Sequence, residues 1–286
     1  MSRYMFHEGS FESPDDVGLV DSTVHVLELD GAHRLFVDRR PLRAGATPRL
    51  LAASRTGQLE RSLTRYTLIG ERDAAGLPGF EVAAHYRVDS DLVYERRTHV
   101  AFDGGAFGFT MRGPMAARGD VDGRMDALLT SVRFRDETWD DAAFDACVYV
   151  TNDVAFDLPA TSFVDRTIHE LDAALPDDES LGLLVEREPV PAGATIGELA
   201  RAHGKEQGRR LPLYGVLDVA ELHVGRLPAV AVAAQWSYRG GPRLARALHV
   251  HTGAAHLAIS ATAPAPHKET LDRLFDQILA TLDVHA

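Results

Sequence analysis

The sequence has 286 residues, of which 45% are hydrophobic and 25% charged, a composition typical of a soluble globular protein. Its formal net charge of −12 disfavours a nucleic acid or an anionic lipid surface as partner. No apolar run is long enough for a signal peptide or a membrane span, so we expect no stable membrane insertion. The single cysteine, Cys147, excludes an internal disulfide framework, and we expect the protein in a reducing cytoplasm.

One ten-residue stretch occurs twice. DRRPLRAGAT at 38–47 returns as EREPVPAGAT at 186–195, with six identical letters. The match extends on both sides at a nearly constant offset, and later pairs Arg96 and His99 with Arg246 and His249. Repetition in register predicts two tandem copies of one domain. We place them at 1–135 and 147–286, joined by an acidic linker at 136–146.

Each copy shows the same order of predicted elements. Two alternating segments, STVHVLEL and RLFVDRR in the first copy, indicate strands with one buried face. The AGAT turn follows, in which Gly45 and Gly193 supply permissive backbone and Thr47 and Thr195 stand at the N-cap of a helix. Further strands with short connections and a closing helix complete each copy. The pattern predicts the α+β class, with an antiparallel sheet packed against helices.

Candidate catalytic and metal sites are sparse. His249, His251 and His256 alternate near the end of a strand, but no acidic residue or cysteine stands at a recurrent ligand spacing. His25 and His169 recur at matching strand positions, where a histidine is either a general base or a tether for a neighbouring segment. Serine elbows, paired carboxylates and phosphate loops are missing from the sequence. We therefore predict no catalytic residue, metal or cofactor, and a protein that is not an enzyme.

The first strand of each copy carries apolar residues on both faces. Val24 and Val26 share one face, while Thr23, His25 and Leu27 share the other. Such a strand is either covered on both sides or offers one apolar face to a partner.

These motifs resemble a known family. The openings FHEGSFESPDD…DSTVHV and NDVAFDLPATSFVDRTIHEL, the R-x-P-x-x-AGAT turn and the hairpin before EVAAHYR or VAVAAQW are similar to the DcrB-like branch of the Mog/PsbP fold. More narrowly, they resemble the effector-associated (Eag) chaperones of type VI secretion. The resemblance implies an α/β/α sandwich, present here in two copies.

The resemblance also implies a function. Eag-type chaperones shield the N-terminal transmembrane helices of Rhs-type toxins in the cytosol before export, and the secretion spike protein is a further candidate partner. Two copies in one chain would form a pseudo-dimer, supplying by covalent linkage what single-domain relatives obtain by association.

Carried over to this sequence, the partner-binding groove would contain strand and helix residues from both copies. Glu170 stands where a second apolar lining residue is expected after Ile168, and the strand that often carries glutamine has Glu95 and Arg97, or Ala245 and Ala247. The candidate groove residues are Val24, Val26, Ile168, Glu170, His25, His169, Gln58 and Gln207.

Two other interpretations remain open at this point. The chain could be an interaction module for a soluble protein partner. It could also be a small-molecule-binding or hydrolytic enzyme that uses the repeated histidines.

Overall fold

The computed structural model describes residues 2–6, 9–30, 32–135, 148–151, 153–158, 160, 163–238, 241–253 and 255–284. It groups the chain into two units. We call Thr23–Thr167 the first unit, and Met1–Ser22 together with Ile168–Ala286 the second unit. The predicted linker at 136–146 lies outside the described residues, as does Cys147.

The helices and strands follow the predicted order closely. The helices are α1 (Pro48–Ser62), α2 (Arg118–Ser131), α3 (Ile196–Arg210) and α4 (Lys268–Thr281). The first ten strands are β1 (Ser2–Phe6), β2 (Gly9–Ser13), β3 (Val20–Asp21), β4 (Val24–Leu29), β5 (His33–Pro41), β6 (Thr64–Asp73), β7 (Gly79–Val88), β8 (Asp91–Phe102), β9 (Gly105–Pro114) and β10 (Arg133–Phe134). The others are β11 (Val148–Val150), β12 (Val154–Asp157), β13 (Phe163–Asp165), β14 (Ile168–Ala174), β15 (Ser180–Pro189), β16 (Gly215–Val224), β17 (Leu227–Tyr238), β18 (Gly241–His251), β19 (Ala255–Pro264) and β20 (Asp283–Val284).

The first unit is built on an antiparallel sheet with the strand order β4-β5-β9-β8-β7-β6. A smaller sheet, β10-β12-β11, completes it, and β13 pairs with β4. The core packs Leu35 and Phe109 of the main sheet against Met125 of α2 and against Tyr149 and Phe156 of the small sheet.

The second unit repeats this plan. Its main sheet has the antiparallel order β14-β15-β19-β18-β17-β16, and β1-β2-β20 forms the small sheet. Leu183 and Ile259 of the main sheet meet Phe275 of α4, together with Tyr4 and Phe11 of the small sheet. The α+β class with antiparallel sheets is therefore confirmed.

The units do not coincide with the predicted domains at 1–135 and 147–286. The opening hairpin of the chain, β1–β2, contributes to the core of the second unit, whereas β11 and β12 contribute to the core of the first. Strand alternation identifies a buried face but not the core that buries it, so the sequence pattern could not reveal this exchange. A buried aromatic side chain removes about 150–250 Å² from water, which makes each hairpin a large part of its core.

The turns before α1 and α3 are as predicted. Gly45 and Gly193 have φ of 76° and 78°, in the left-handed region that favours glycine. The Thr47 hydroxyl accepts a hydrogen bond from Leu50 N at 3.3 Å. Thr195 forms a full capping box with Glu198. Within the described ranges, no helix is long and apolar enough to cross a membrane.

Candidate functional site

In each unit a cleft lies between one helix, α1 or α3, and the main sheet. The other helix, α2 or α4, packs on the opposite face of that sheet. The first cleft, of about 270 Å³, lies between α1 and the strands β5, β8 and β9 of the first unit. The second cleft, of about 210 Å³, lies between α3 and the strands β15, β17, β18 and β19. Alternation along each strand brings every second side chain to the cleft, as with Phe36, Asp38 and Arg40 on β5.

The two clefts use corresponding positions of the two sheets. Arg97 pairs with Thr110 between β8 and β9, and Ala247 pairs with Ser260 between β18 and β19. The offset of 150 found in the sequence relates both pairs, so corresponding residues can be compared directly.

A network of charged residues fills the base of the first cleft. Glu95 is buried and accepts hydrogen bonds from Arg97 Nη2, from Tyr86 Oη at 3.0 Å and from Arg112 Nη2 at 2.8 Å. Arg97 also donates from Nε to Thr110 Oγ1 at 3.0 Å. One carboxylate is thus shared between two arginines.

The walls of the first cleft add two more arginines. Arg55 of α1 donates to Gln58 Oε1 at 2.7 Å, and Arg40 lies 3.8 Å from Asp38. Burial and the positive charge of Arg97 lower the pKa of Arg55. Burial also raises the pKa of Asp38, with Arg40 and Arg97 opposing that effect. Four arginines therefore surround two carboxylates, counting Glu95 at the base.

His99 lies beside these arginines at the closed end of the first cleft. Burial, followed by the charges of Arg97 and Arg55, lowers its pKa to about 4. Its Nε2 atom is buried and has no hydrogen-bond partner among the described residues. At neutral pH His99 is thus an uncharged imidazole that retains hydrogen-bonding capacity.

The second cleft carries almost no charge. Ala245, Ala247 and Thr262 occupy the positions of Glu95, Arg97 and Arg112, and Trp236 occupies that of Tyr86. Of its lining residues only Glu186 carries a formal charge at neutral pH. The same framework thus holds a charged cleft in one unit and an apolar one in the other.

Histidines close the deep end of the second cleft. His249 Nδ1 lies 2.9 Å from His256 Nε2, and the His203 ring meets the His249 ring edge-on at 5.0 Å. Burial, with smaller contributions from His203 and His256, lowers the pKa of His249 to about 3. His251 lies at the end of β18, where its Nδ1 accepts a hydrogen bond from Gly253 N at 3.0 Å. Across the described ranges no group of three ligand-type side chains is placed to hold a metal ion.

The predicted groove residues divide between surface, clefts and core. On β4 the side chains of Val24 and Val26 lie on the outer face, and Val24 is 40% exposed. On β14 Ile168 is 50% exposed and Glu170 is exposed as well. Of these four, only Val24 lines a cleft, the first one.

His25 and His169 lie on the opposite, buried face of their strands. His25 Nδ1 is 3.3 Å from Tyr149 Oη in the first unit, and His169 Nδ1 is 2.9 Å from Tyr4 Oη in the second. Each tyrosine belongs to the hairpin that completes the unit. Both histidines are buried, so neither occupies an exposed groove position. Their contacts with the tyrosines match the role of a tether for a neighbouring segment.

Gln58 and Gln207 lie on the cleft-facing sides of α1 and α3. Gln58 lines the first cleft with Val24, and Gln207 lines the second, where its Nε2 lies 3.4 Å from His203 Nε2. Sequence reasoning noted Glu95, Arg97, Ala245 and Ala247 as departures from the family pattern but did not predict a cleft from them. It missed Arg55, His203 and Trp236. Helical periodicity for the first two, and strand periodicity for Trp236, could have placed these side chains on the faces that line the clefts.

Comparison with known proteins agrees with this fold. The DcrB family model matches residues 154–281, which lie mostly in the second unit. The matched part of the chain therefore has a DcrB-like fold. Among curated protein sequences, none matches the chain significantly.

Several solved structures share the whole two-unit fold. The apo immunity protein TplEi of the type VI secretion system (T6SS) from Pseudomonas aeruginosa superposes with a TM-score of 0.58 at 14% identity, covering 99% of this chain and 96% of that one. A structure titled as the Tle4–Tli4 complex gives a TM-score of 0.57 at 14% identity, with 99% and 97% covered. TplEi complexed with an "L" peptide gives 0.55 at 15% identity, again with 99% and 97% covered. At these identities the likeness concerns the fold alone.

Proposed function

We propose that this DcrB-like chain is a non-catalytic, protein-binding component of a type VI secretion system, and that its partner is a secreted effector. The observation that carries the proposal is the extent of the shared fold. The likeness to the immunity protein TplEi runs over 99% of this chain and 96% of the other, and so includes both units. Because a fold hosts many functions, the clefts must support the same conclusion independently.

The chemistry of the clefts favours recognition over catalysis. A general base works best with a pKa near the operating pH, whereas the pKa values of His99 and His249 are lowered to about 4 and about 3. The arginines of the first cleft keep their protons at neutral pH and serve as fixed hydrogen-bond donors. These groups are suited to hold a partner rather than to transform a substrate.

The charged first cleft favours a folded, soluble effector, as an immunity protein would bind. An apolar transmembrane helix gains little from contact with Arg55, Arg97 and Arg112, since these groups would have to lose water without finding a polar partner. A polar segment of a folded effector can satisfy them. We therefore place effector binding of the immunity type first.

A chaperone for the N-terminal transmembrane helices of an Rhs-type toxin is the second candidate. Its support is the exposure of branched apolar side chains on the first strand of each copy, 40% for Val24 and 50% for Ile168. In that case the chain would act in the cytoplasm before export.

Co-expression with a candidate type VI effector toxin distinguishes the two candidates. One arm uses the full-length toxin and the other only its N-terminal apolar segment, and native mass spectrometry weighs the purified complex. Immunity-type binding predicts a complex with the full-length toxin that persists when the N-terminal segment is deleted. Chaperone-type binding predicts a complex with the isolated segment, lost in the variant Val24→Asp with Ile168→Asp.

A matched control keeps the chaperone arm interpretable. Val88 and Leu213 are also exposed, one in each unit, and Val88→Asp with Leu213→Asp adds the same two charges elsewhere. This control should bind the segment as the unmodified chain does. If neither arm yields a complex, the proposed function is wrong.

A further inference from the structure

We infer that the first cleft is a binding site for a carboxylate group carried by a segment of the effector. The inference rests on the proposed function for the identity of the partner. The cleft itself supplies the chemical class, through a surplus of guanidinium groups around a buried pocket. It also supplies a means to test that class without the effector.

The surplus of positive charge can be located atom by atom. Glu95 is engaged by Arg97 and Arg112, and Asp38 is the carboxylate nearest to Arg40. Arg55 then remains with the neutral Gln58 as its side-chain partner, and forms no ion pair within 4.0 Å among the described residues. A guanidinium of this kind, facing a partly enclosed cleft, matches an incoming carboxylate in charge and geometry.

His99 is an independent second observation. Its side chain is 91% buried, given an exposure of 9%, and it lines the same cleft as Arg55 and Arg97. Its Nε2 has no hydrogen-bond partner in the described part of the chain, although buried ring nitrogens are normally satisfied. A carboxylate oxygen bound beside Arg55 and Arg97 would accept a hydrogen bond from a protonated Nε2 and satisfy it.

The electrostatics of the cleft are compatible with this assignment. The pKa values of Arg55 and His99 are both lowered, by burial first and then by the charge of Arg97. Burial disfavours charge of either sign, as the raised pKa of Asp38 shows, but the contribution of Arg97 to both shifts is a positive potential that an anion would offset. A bound carboxylate would offset the repulsion and raise the pKa of His99 towards its ordinary value.

The size and residual charge of the cleft are compatible with one carboxylate group. A volume of about 270 Å³ admits an acidic side chain with its adjoining backbone. Four arginines against Asp38 and Glu95 leave a surplus of two positive charges, which attracts the negative charge of a carboxylate. The carboxylate can come from an aspartate or glutamate side chain or from a chain terminus, and the test separates these sources.

The test uses three short peptides and the full chain. The first probe is acetyl-Gly-Gly-Glu-Gly-Gly-amide, the second replaces Glu by Gln, and the third is acetyl-pentaglycine with a free C-terminal carboxylate. NMR follows the imidazole resonances of His99 while each peptide is titrated. We expect a carboxylate peptide to bind at least about tenfold more tightly than the Gln peptide and to raise the pKa of His99. Whichever carboxylate peptide responds identifies the source.

Two variants and one control variant test whether the peptides bind in the first cleft. Arg55→Gln should weaken carboxylate binding about tenfold, whereas Arg61→Gln, an exposed arginine on the same helix, should change it less than about twofold. Because Arg55 forms no buried ion pair, its replacement should leave the fold intact. The triple variant Glu95→Ala, Arg97→Ala, Arg112→Thr gives the first cleft the residues of the second at three positions. It removes two of the guanidinium groups, and it should weaken carboxylate binding at least as much as Arg55→Gln does.

The outcomes separate this inference from the proposed function. If neither carboxylate peptide moves the His99 resonances, or if Arg55→Gln binds as the unmodified chain does, the inference is wrong. An effector complex that the triple variant forms with unchanged affinity would also contradict it, while leaving effector binding in place. A carboxylate response without any effector complex would instead contradict the proposed partner.

Discussion

The two clefts share a framework and differ in their chemistry. Each lies between a capped helix and the antiparallel sheet of its own unit, on corresponding strands. His99 lines the first cleft, and His249 lines the second at the corresponding position. At two strand positions the first cleft has Glu95 and Arg97 where the second has Ala245 and Ala247. Strand register fixes the positions and a few side chains decide the chemistry, so recognition can change without a change of fold.

The largest expected effect tests whether each cleft belongs to a self-sufficient unit. A fragment of residues 1–135 lacks Tyr149, Val154 and Phe156, which are buried in the core of the first unit. Losing each large buried side chain costs about 3–5 kcal/mol, and the sum approaches the whole stability of a typical domain. We expect the fragment 23–167 to unfold cooperatively in urea, and 1–135 to lack a folded baseline by circular dichroism. If the two fragments were equally stable, β11 and β12 would not be needed to complete the core of the first unit, contrary to the structure.

The second prediction removes the shared carboxylate of the first cleft. Glu95→Ala leaves Arg97 and Arg112 without their buried partner, and we expect the free energy of unfolding to fall by about 3–5 kcal/mol. The triple variant Glu95→Ala, Arg97→Ala, Arg112→Thr removes both signs of charge together and should recover most of that loss. Urea unfolding measures both, with the exposed Glu71→Ala as control. If the triple variant is less stable than Glu95→Ala alone, the first cleft does not tolerate the residues that the second cleft has at these three positions.

The third prediction concerns pH, where the clefts should behave alike. The pKa values of His99 and His249 are lowered in the folded protein to about 4 and about 3, so the unfolded chain takes up these protons first as pH falls. Their contribution to stability is complete above about pH 6.5 and is lost as pH falls towards the folded values. At pH 5 each histidine should account for about 2 kcal/mol of the lost stability.

Single replacements check this assignment. The loss of unfolding free energy between pH 7 and pH 5 should be smaller by about 2 kcal/mol in His99→Gln and, separately, in His249→Gln. An exposed histidine, His223→Gln, is the control and should leave the difference unchanged. A pH dependence that neither buried replacement reduces would show that the two imidazoles titrate normally.

The smallest expected effect concerns the caps of the two cleft helices. Thr47→Ala should cost about 1 kcal/mol, because it removes the acceptor for Leu50 N. Thr195→Ala should cost more, since the Thr195 hydroxyl also donates to Glu198 Oε2 at 2.9 Å. Urea unfolding of both variants measures the loss in free energy of unfolding. Equal losses would show that the capping box adds no stability.

The sequence predicted the framework well. Period-two alternation located β4, β5, β14 and β15, and the AGAT turns located the starts of both helices. These signals are local, because each depends on residues that lie next to one another in the chain. The closing helices were predicted as well, and they are α2 and α4.

The candidate site could be predicted only in part. Gln58 and Gln207 lie on helices and line the clefts, whereas His25 and His169 are buried and lie within hydrogen-bonding distance of Tyr149 and Tyr4. Local alternation says which face a residue is on, but not which distant segment covers that face. For the same reason the predicted boundaries at 135 and 147 missed the exchanged hairpins.

Hydrogen–deuterium exchange of the chain with and without a full-length effector toxin that it binds tests the central claim most directly. We predict that the toxin slows exchange in α1 and in the parts of β8 and β9 around Arg97 and Thr110, and that the first cleft is protected more than the corresponding elements of the second. A complex that leaves α1, β8 and β9 unprotected would contradict the account, because it would show that the effector is recognised elsewhere than at the charged cleft.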